Sequence, residues 1–86
     1  MKLAKYVKFR EEQFGGVLFE TQTEKVYTLN PAAAAIVREL RAGFDAPQIA
    51  EHLQDQFKAP AGKIEQDVIA LIADLRDKGL IGDAPA

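Results

Sequence analysis

Residues 25–31, KVYTLNP, mark the point where the sequence changes from strand to helix. The first five positions are rich in β-branched and aromatic side chains, which favour a strand whose residues 25, 27 and 29 share one face. Asn30 is a favoured N-cap, and Pro31 suits the first position of a helix, where its missing N–H costs nothing. We therefore expect a strand that runs directly into a helix.

The sequence before this point predicts two further strands. Apolar and charged residues interleave over residues 6–14, and residues 17–19 are a short run of strand-forming side chains. Gly15-Gly16 predicts a turn or bulge, with Phe14 buried beside it. The polar residues 21–24 have the length of a hairpin connection. We expect three short antiparallel strands.

The sequence after this point predicts three helices. The first begins at Pro31, and Gly43 suits its C-terminal end. The second begins after Asp45, which with Gln48 forms a capping box. The third spans residues 63–78 and is predicted to end in a Schellman motif.

This order predicts an α+β domain, in which a three-stranded antiparallel sheet is followed by three helices packed on one of its faces. The second and third helices have the proportions of a helix-turn-helix, so the fold is winged-helix-like. The chain has 86 residues, which suffices for one small domain over 1–86. We expect order from about residue 6 to residue 82 and a tail over residues 83–86.

Composition narrows the possible functions. The chain contains no cysteine, so disulfides, thiolate metal sites and a cysteine nucleophile are excluded. The single histidine, His52, has neither a nucleophile nor an orienting carboxylate spaced for it, and no metal or cofactor motif is present. We expect no enzymatic activity. The sequence also lacks a membrane span and a signal peptide, which predicts a cytoplasmic protein.

The third predicted helix has a wide apolar surface. At about 100° per residue its apolar side chains cover an arc of roughly 160°. They are Ile64, Val68, Ile69, Leu71, Ile72 and Leu75. One interpretation is a well-buried helix with one exposed isoleucine. The other is that part of the arc faces a groove beside the unpaired strand, which is the arrangement that binds an extended peptide by strand addition.

Four segments, in this order and spacing, resemble the PqqD family of small peptide chaperones. They are REEQFGGVLFE, KVYTLNPAAAAIV, APQIAEHLQDQF and KIEQDVIALIADLRDKGLI. The resemblance covers about residues 6–82. It implies a non-catalytic protein, similar to the recognition elements of ribosomally made, post-translationally modified peptide pathways. Such proteins bind the leader of a precursor peptide and present it to a modifying enzyme, often a radical S-adenosylmethionine enzyme, as in pyrroloquinoline quinone biosynthesis.

The resemblance also implies a binding site, because in the family the leader lies as an added strand between the third strand and the third helix. The strand side then comprises Lys25, Val26, Tyr27, Thr28 and Leu29, which act mainly through their backbone. The helix side comprises Ile64, Asp67, Val68, Leu71 and Ile72. Asp67 would bond a peptide amide or a basic leader residue, unless it is a surface acid favoured by the helix dipole.

Two alternatives remain open. The helix-turn-helix outline suggests DNA binding, but acids outnumber bases by four to three over residues 63–78, and the formal net charge is −2. We therefore expect no nucleic-acid partner. The open edge strand would also allow two copies of the chain to pair as a weak homodimer.

Overall fold

The computed structural model describes residues 2–58, 60 and 62–82, and within these ranges the predicted α+β order of the main sheet and helices is confirmed. The strands are β1 (Lys2–Leu3), β2 (Val7–Glu12), β3 (Gly15–Glu20), β4 (Lys25–Leu29) and β5 (Ile81–Gly82). The helices are α1 (Pro31–Arg41), α2 (Ala46–Phe57) and α3 (Lys63–Asp77). The expected tail over residues 83–86 lies outside the described residues.

The main sheet is antiparallel, with strand order β2-β3-β4. Leu18 on the central strand faces Phe9 on β2 and Tyr27 on β4. Residues opposite one another share a face of the sheet, and this row lies on the face that the helices cover, because Leu18 is fully buried. The next row, Lys8, Phe19 and Val26, lies on the outer face. β2 and β4 are therefore the two edges of the sheet.

Local signals in the sequence placed the helix ends correctly. The Asn30 side chain accepts a hydrogen bond from the backbone at the start of α1 (2.8 Å). Asp45 and Gln48 form the predicted capping box, with distances of 3.1 and 3.0 Å. At the end of α3 the Leu80 N–H donates to the Leu75 carbonyl (2.9 Å), which is the predicted Schellman bond.

A second ladder joins the two ends of the chain and was not predicted. Lys2–Leu3 pairs antiparallel with Ile81–Gly82, and the Ala4 N–H donates to the Leu80 carbonyl at 2.9 Å. Each of these strands has two residues, which is too short for a periodic pattern to show in the sequence. The ladder depends on the chain ends being brought together by the fold.

The β2–β3 turn differs from its prediction. Gly15 and Gly16 are the first residues of β3, and the turn itself is formed by Gln13 and Phe14. Phe14 is 53% exposed rather than buried. A Cβ on Gly16 would lie only 3.2 Å from the Ala34 Cβ, so the missing side chain lets α1 approach the sheet closely.

The core fills the space between the inner face of the sheet and the three helices. Its fully buried side chains include members of β3, all three helices and the segment after α3: Leu18, Val37, Leu40, Ile49, Leu53, Val68 and Leu80. α3 contributes Ile64, Val68, Ile72 and Leu75 to it. The core thus holds α3 against α2 and α1, and the groove lies between α3 and β4.

Candidate functional site

The hydrogen-bond pattern of the sheet determines which backbone groups of β4 face outward. The Thr21 N–H donates to the Tyr6 carbonyl (2.9 Å), in the same register as the β2–β3 ladder. Hydrogen-bonded and non-hydrogen-bonded residue pairs alternate along antiparallel strands. The bonded Tyr6–Thr21 pair therefore determines which pairs are bonded between β2 and β3 and, through β3, between β3 and β4. Tyr27 is then bonded to β3, whereas Val26 and Thr28 direct their N–H and C=O groups away from the sheet.

A groove runs between this free edge and α3. Its volume is about 500 Å³. The residues that line it come from β4, the start of α1 and one face of α3: Val26, Tyr27, Thr28, Leu29, Asn30, Ala33, Leu71, Asp74, Leu75 and Lys78. Tyr27, Ala33 and Leu71 are only partly buried, so they offer apolar surface to the groove while they pack against the core. The groove therefore combines free main-chain groups with an apolar wall.

A charged pair stands on the α3 side of the groove. The Lys78 ammonium donates a hydrogen bond to the Asp74 carboxylate at 2.5 Å. This bond is the main reason why the pKa of Lys78 is raised, and the nearby Tyr27 and Asp77 add to the effect against the opposing effect of burial. Lys78 therefore stays protonated at neutral pH, and the pair adds no net charge to the groove.

A second groove, of about 460 Å³, continues from the first between α1 and α3. The two share Asn30, Ala33, Leu71 and Asp74. Asp67 lines the second groove and forms an ion pair with Lys63 at 3.1 Å. The free edge, the first groove and the second groove form one continuous surface along the same side of the molecule.

The structure brings part of the predicted site together. Four of the five predicted strand residues border the first groove with Leu71, namely Val26, Tyr27, Thr28 and Leu29. Asp67 borders the second groove instead. Lys25 is exposed at the start of β4 and lies outside both linings.

Three predicted helix residues do not reach the groove. Ile64, Val68 and Ile72 are 6%, 0% and 6% exposed, belong to the core and line neither groove, so their contact with a peptide stays a prediction that this packing does not support. The apolar arc of α3 is wide because the helix packs against α2, α1 and β5. Ile69, at 56% exposed, lies at the other end of the arc, beside Pro47 at the start of α2.

Sequence reasoning missed the groove residues in the last turns of α3 and at its C-cap. Asp74, Leu75 and Lys78 lie three, four and seven positions after Leu71, which places them along one ridge of the helix. Leu75 was counted in the apolar arc but was not assigned to the site, whereas Asp74 and Lys78 are polar and do not contribute to an apolar arc. Asn30 and Ala33 were interpreted only as helix-forming residues.

His52 has a partner that its sequence neighbourhood did not reveal. Its Nδ1 contacts the Glu39 carboxylate of α1, and the Phe44 ring packs edge-on against the imidazole with centroids 4.8 Å apart. These contacts join α1 to α2 on a surface away from the groove linings.

Within residues 2–58, 60 and 62–82, no three His, Asp or Glu side chains gather as a metal site would require. No helix in those ranges has the length and apolar character needed to cross a bilayer.

Comparisons with known proteins agree with this architecture. The family profile described as Coenzyme PQQ synthesis protein D (PqqD) matches residues 15–81. No curated protein matches the chain significantly. Among solved structures, a lasso peptide synthetase B1 complexed with the leader peptide is 25% identical, with a TM-score of 0.81 over 92% of this chain and 93% of that one.

Two further solved structures show the same fold. TbiB1 in complex with the TbiA(beta) leader peptide is 20% identical, with a TM-score of 0.88 and full coverage of both chains. The PqqD truncation of Methylobacterium extorquens PqqCD, a stand-alone recognition element of ribosomally synthesized and post-translationally modified peptides, is 24% identical. Its TM-score is 0.76 over 95% of this chain and 87% of that one. Since the profile match extends over most of the chain, the protein belongs to the PqqD family.

Proposed function

We propose that this protein binds the leader of a ribosomally made precursor peptide as an additional strand on β4. The observation that carries the proposal is the free β4 edge beside an apolar groove. Val26 and Thr28 would exchange main-chain hydrogen bonds with the leader, while every second leader side chain enters the groove between Tyr27 and Leu71. Further leader residues would follow the second groove past Asn30.

The leader would run antiparallel to β4. The other pairs of this sheet are antiparallel, and antiparallel pairing is slightly more stable per residue than parallel pairing. Main-chain bonds supply affinity for many sequences, and the groove supplies selection for apolar residues at alternate positions. Because the peptide loses conformational entropy when it becomes a strand, the affinity would be moderate and release would be possible.

The proposed role is presentation of a substrate rather than catalysis. A protein that holds the leader next to a modifying enzyme raises the local concentration of the precursor without supplying a reactive group. The partner enzyme in this proposal is a radical S-adenosylmethionine enzyme, in pyrroloquinoline quinone biosynthesis or a related cytoplasmic pathway. Support comes from the family membership and from the leader complexes solved for two proteins of the same fold.

Two other occupants of this surface are less consistent with its chemistry. A DNA backbone requires cations, but Lys63 and Lys78 on α3 are both paired with acids of the same helix, which weakens their attraction for phosphate. A second copy of the chain could pair through β4. Sedimentation at increasing protein concentration distinguishes such a dimer from a monomer that binds peptide.

The proposal can be tested by titrating isotope-labelled protein with overlapping synthetic peptides that cover the short open reading frames beside its gene. At least one peptide should shift the amides of residues 25–29 and of the groove face of α3. Thr28→Pro should weaken that peptide about tenfold or more, because proline lacks the outward N–H and its ring obstructs the edge.

Thr28→Val is the matched control for this experiment. It keeps the outward N–H and the branched shape of the side chain, so peptide affinity should stay close to that of the wild type. Peptide-induced shifts confined to residues outside both grooves, or equal affinity in Thr28→Pro, would contradict the proposal. Steeply salt-dependent binding of duplex DNA would instead support a nucleic-acid partner.

A further inference from the structure

The outer face of the sheet carries apolar side chains next to the free edge. Phe19 and Val26 are directly opposite each other on β3 and β4 and are 36% and 58% exposed. On the other side of Phe19, Lys8 of β2 is its cross-strand neighbour. Two residues further along the same face, Val17 of β3 is opposite Thr28 of β4. The apolar pair thus lies at the β4 side of the outer face, and cations are found toward β2.

A strand added to β4 would extend these rows by one position. In an antiparallel pair, the residue opposite Val26 has its side chain on the same face as Val26, with the two Cβ atoms about 4.5–5.5 Å apart. That side chain would cover Val26 on the side that is now exposed. Because side chains alternate along a strand, the peptide residue next to it in sequence would point into the groove beside Tyr27.

We infer that the outer face selects the peptide together with the groove, an inference that rests on the proposed strand addition to β4. The ligand class is an extended peptide segment with two adjacent apolar residues, one facing the groove and the other opposite Val26. The second of these is a large or β-branched side chain that continues the apolar row of Phe19 and Val26. Val26 is therefore a specificity-determining residue, whereas Thr28 and the backbone serve most sequences alike.

The expected contribution is modest and measurable. Cross-strand apolar pairs differ from pairs of alanines by amounts that correspond to about 1.4- to 5-fold in binding. A charged residue at position 26 should change the preferred peptide residue opposite it from an apolar one to one of the opposite charge. The reason is that opposite charges facing each other across two strands are favourable, whereas like charges are unfavourable. Val26→Lys fits at the exposed edge of the outer face without disturbing the core.

The probe is a displayed library of short random peptides, selected in parallel on the wild type, Val26→Lys, Ile69→Lys and Thr28→Pro. The wild type should enrich peptides with an adjacent apolar pair. Val26→Lys should keep one apolar position and change the neighbouring position to Asp or Glu. Ile69→Lys adds the same charge to an equally exposed residue away from β4, so its selected peptides should match those of the wild type.

Affinities of one selected peptide complete the test. Replacing its outer apolar residue with Glu should weaken binding to the wild type by about 1.4- to 5-fold and should strengthen binding to Val26→Lys. Equal preferences of the wild type and Val26→Lys would overturn this inference and leave strand addition intact. No enrichment on the wild type, or the same enrichment on Thr28→Pro, would overturn strand addition itself.

Discussion

β2 and β4 are both edges of one three-stranded sheet, but their outward backbone groups differ in whether they have hydrogen-bond partners. On β2 the outward Val7 N–H donates to the Ala4 carbonyl (3.0 Å), and the outward Phe9 carbonyl accepts from Arg41 Nη1 (3.4 Å). The Arg41 guanidinium also lies over the Phe9 ring, 5.1 Å from its centroid. On β4 no hydrogen bond among the described residues reaches the outward groups of Val26 and Thr28.

The difference shows how one small sheet can protect one edge and leave the other available. An uncovered edge is a template for pairing with another chain, and proteins cover or charge the edges that they do not use. Here Arg41 at the end of α1 covers β2, and charged side chains follow that strand. α3 stands beside β4 at a distance that leaves a groove. The unprotected edge is the one next to the apolar wall.

The largest expected effect separates the two sides of α3. Ile72→Ala should lower the free energy of unfolding by about 2–5 kcal/mol, because it leaves a cavity in the core. Leu71→Ala, one position away on the groove side, should cost about 1 kcal/mol or less and should mainly weaken peptide binding. Urea unfolding and peptide titration of both variants measure the two quantities separately.

An equal loss of stability in the two variants would contradict this division of the helix. So would full peptide affinity in Leu71→Ala, because Leu71 is the side chain common to both grooves and the predicted site. Ile69→Ala is a useful control, since Ile69 is an exposed apolar residue of α3 away from β4. Ile69→Ala should change neither the free energy of unfolding nor the peptide affinity appreciably.

The same residues show what the sequence could and could not predict. The strand-to-helix joint at Asn30, the capping box at Asp45 and the Schellman bond of Leu80 depend on residues a few positions apart, and all three were predicted. The periodicity of α3 predicted a wide apolar arc. It could not tell that Val68 and Ile72 face the core and Leu71 the groove, because that depends on which elements pack around the helix.

Contacts between distant parts of the chain account for the remaining differences. The β1–β5 ladder joins residues at opposite ends of the sequence, and the Glu39–His52 contact joins two helices. The protection of β2 by Arg41 spans 32 positions. None of these leaves a periodic or capping signal. The sequence therefore predicted where a free edge lies, and the structure identified the contacts that partly cover the other edge.

An intermediate effect should follow from opening the β2 edge. Arg41→Ala removes both the hydrogen bond to the Phe9 carbonyl and the contact with the Phe9 ring, which together should lower the free energy of unfolding by about 1 kcal/mol. Peptide binding at β4 should not change, because Arg41 lies at the opposite edge. Urea midpoints and peptide titrations of the variant and the wild type provide the measurement.

Arg41→Lys tests whether geometry or charge protects this edge. Lysine keeps the positive charge but lacks the planar group that stacks on an aromatic ring. Its stability should lie between those of the wild type and Arg41→Ala. A fall in peptide affinity in either variant would show that the two edges are coupled.

The smallest expected effect concerns the turn that joins β3 to β4. The Glu20 carboxylate accepts hydrogen bonds from the Thr23 hydroxyl, the Gln22 N–H (2.6 Å) and the Thr23 N–H (3.0 Å). The bond from the Thr23 hydroxyl is the main cause that lowers the pKa of Glu20 below 4.5; the backbone bonds and Lys25 add to it, and burial opposes it. The Glu20 bonds go to Gln22 and Thr23, which lead into β4, whereas the turn reaches the β2 side of the sheet through Thr21, which donates to the Tyr6 carbonyl.

Because the pKa of Glu20 is lower in the folded state, its contribution to stability is present above the unfolded pKa and is lost as pH falls through the folded value. Acidification below pH 4.5 should therefore weaken the amide protection of β4 more than that of β2. Glu20→Gln should flatten this pH dependence, and Thr23→Val should shift the Glu20 titration upward when it is followed by carboxyl NMR. If Glu20 titrates at 4.5 or above in the wild type, or if β2 and β4 lose protection equally, the turn does not hold the binding edge in place.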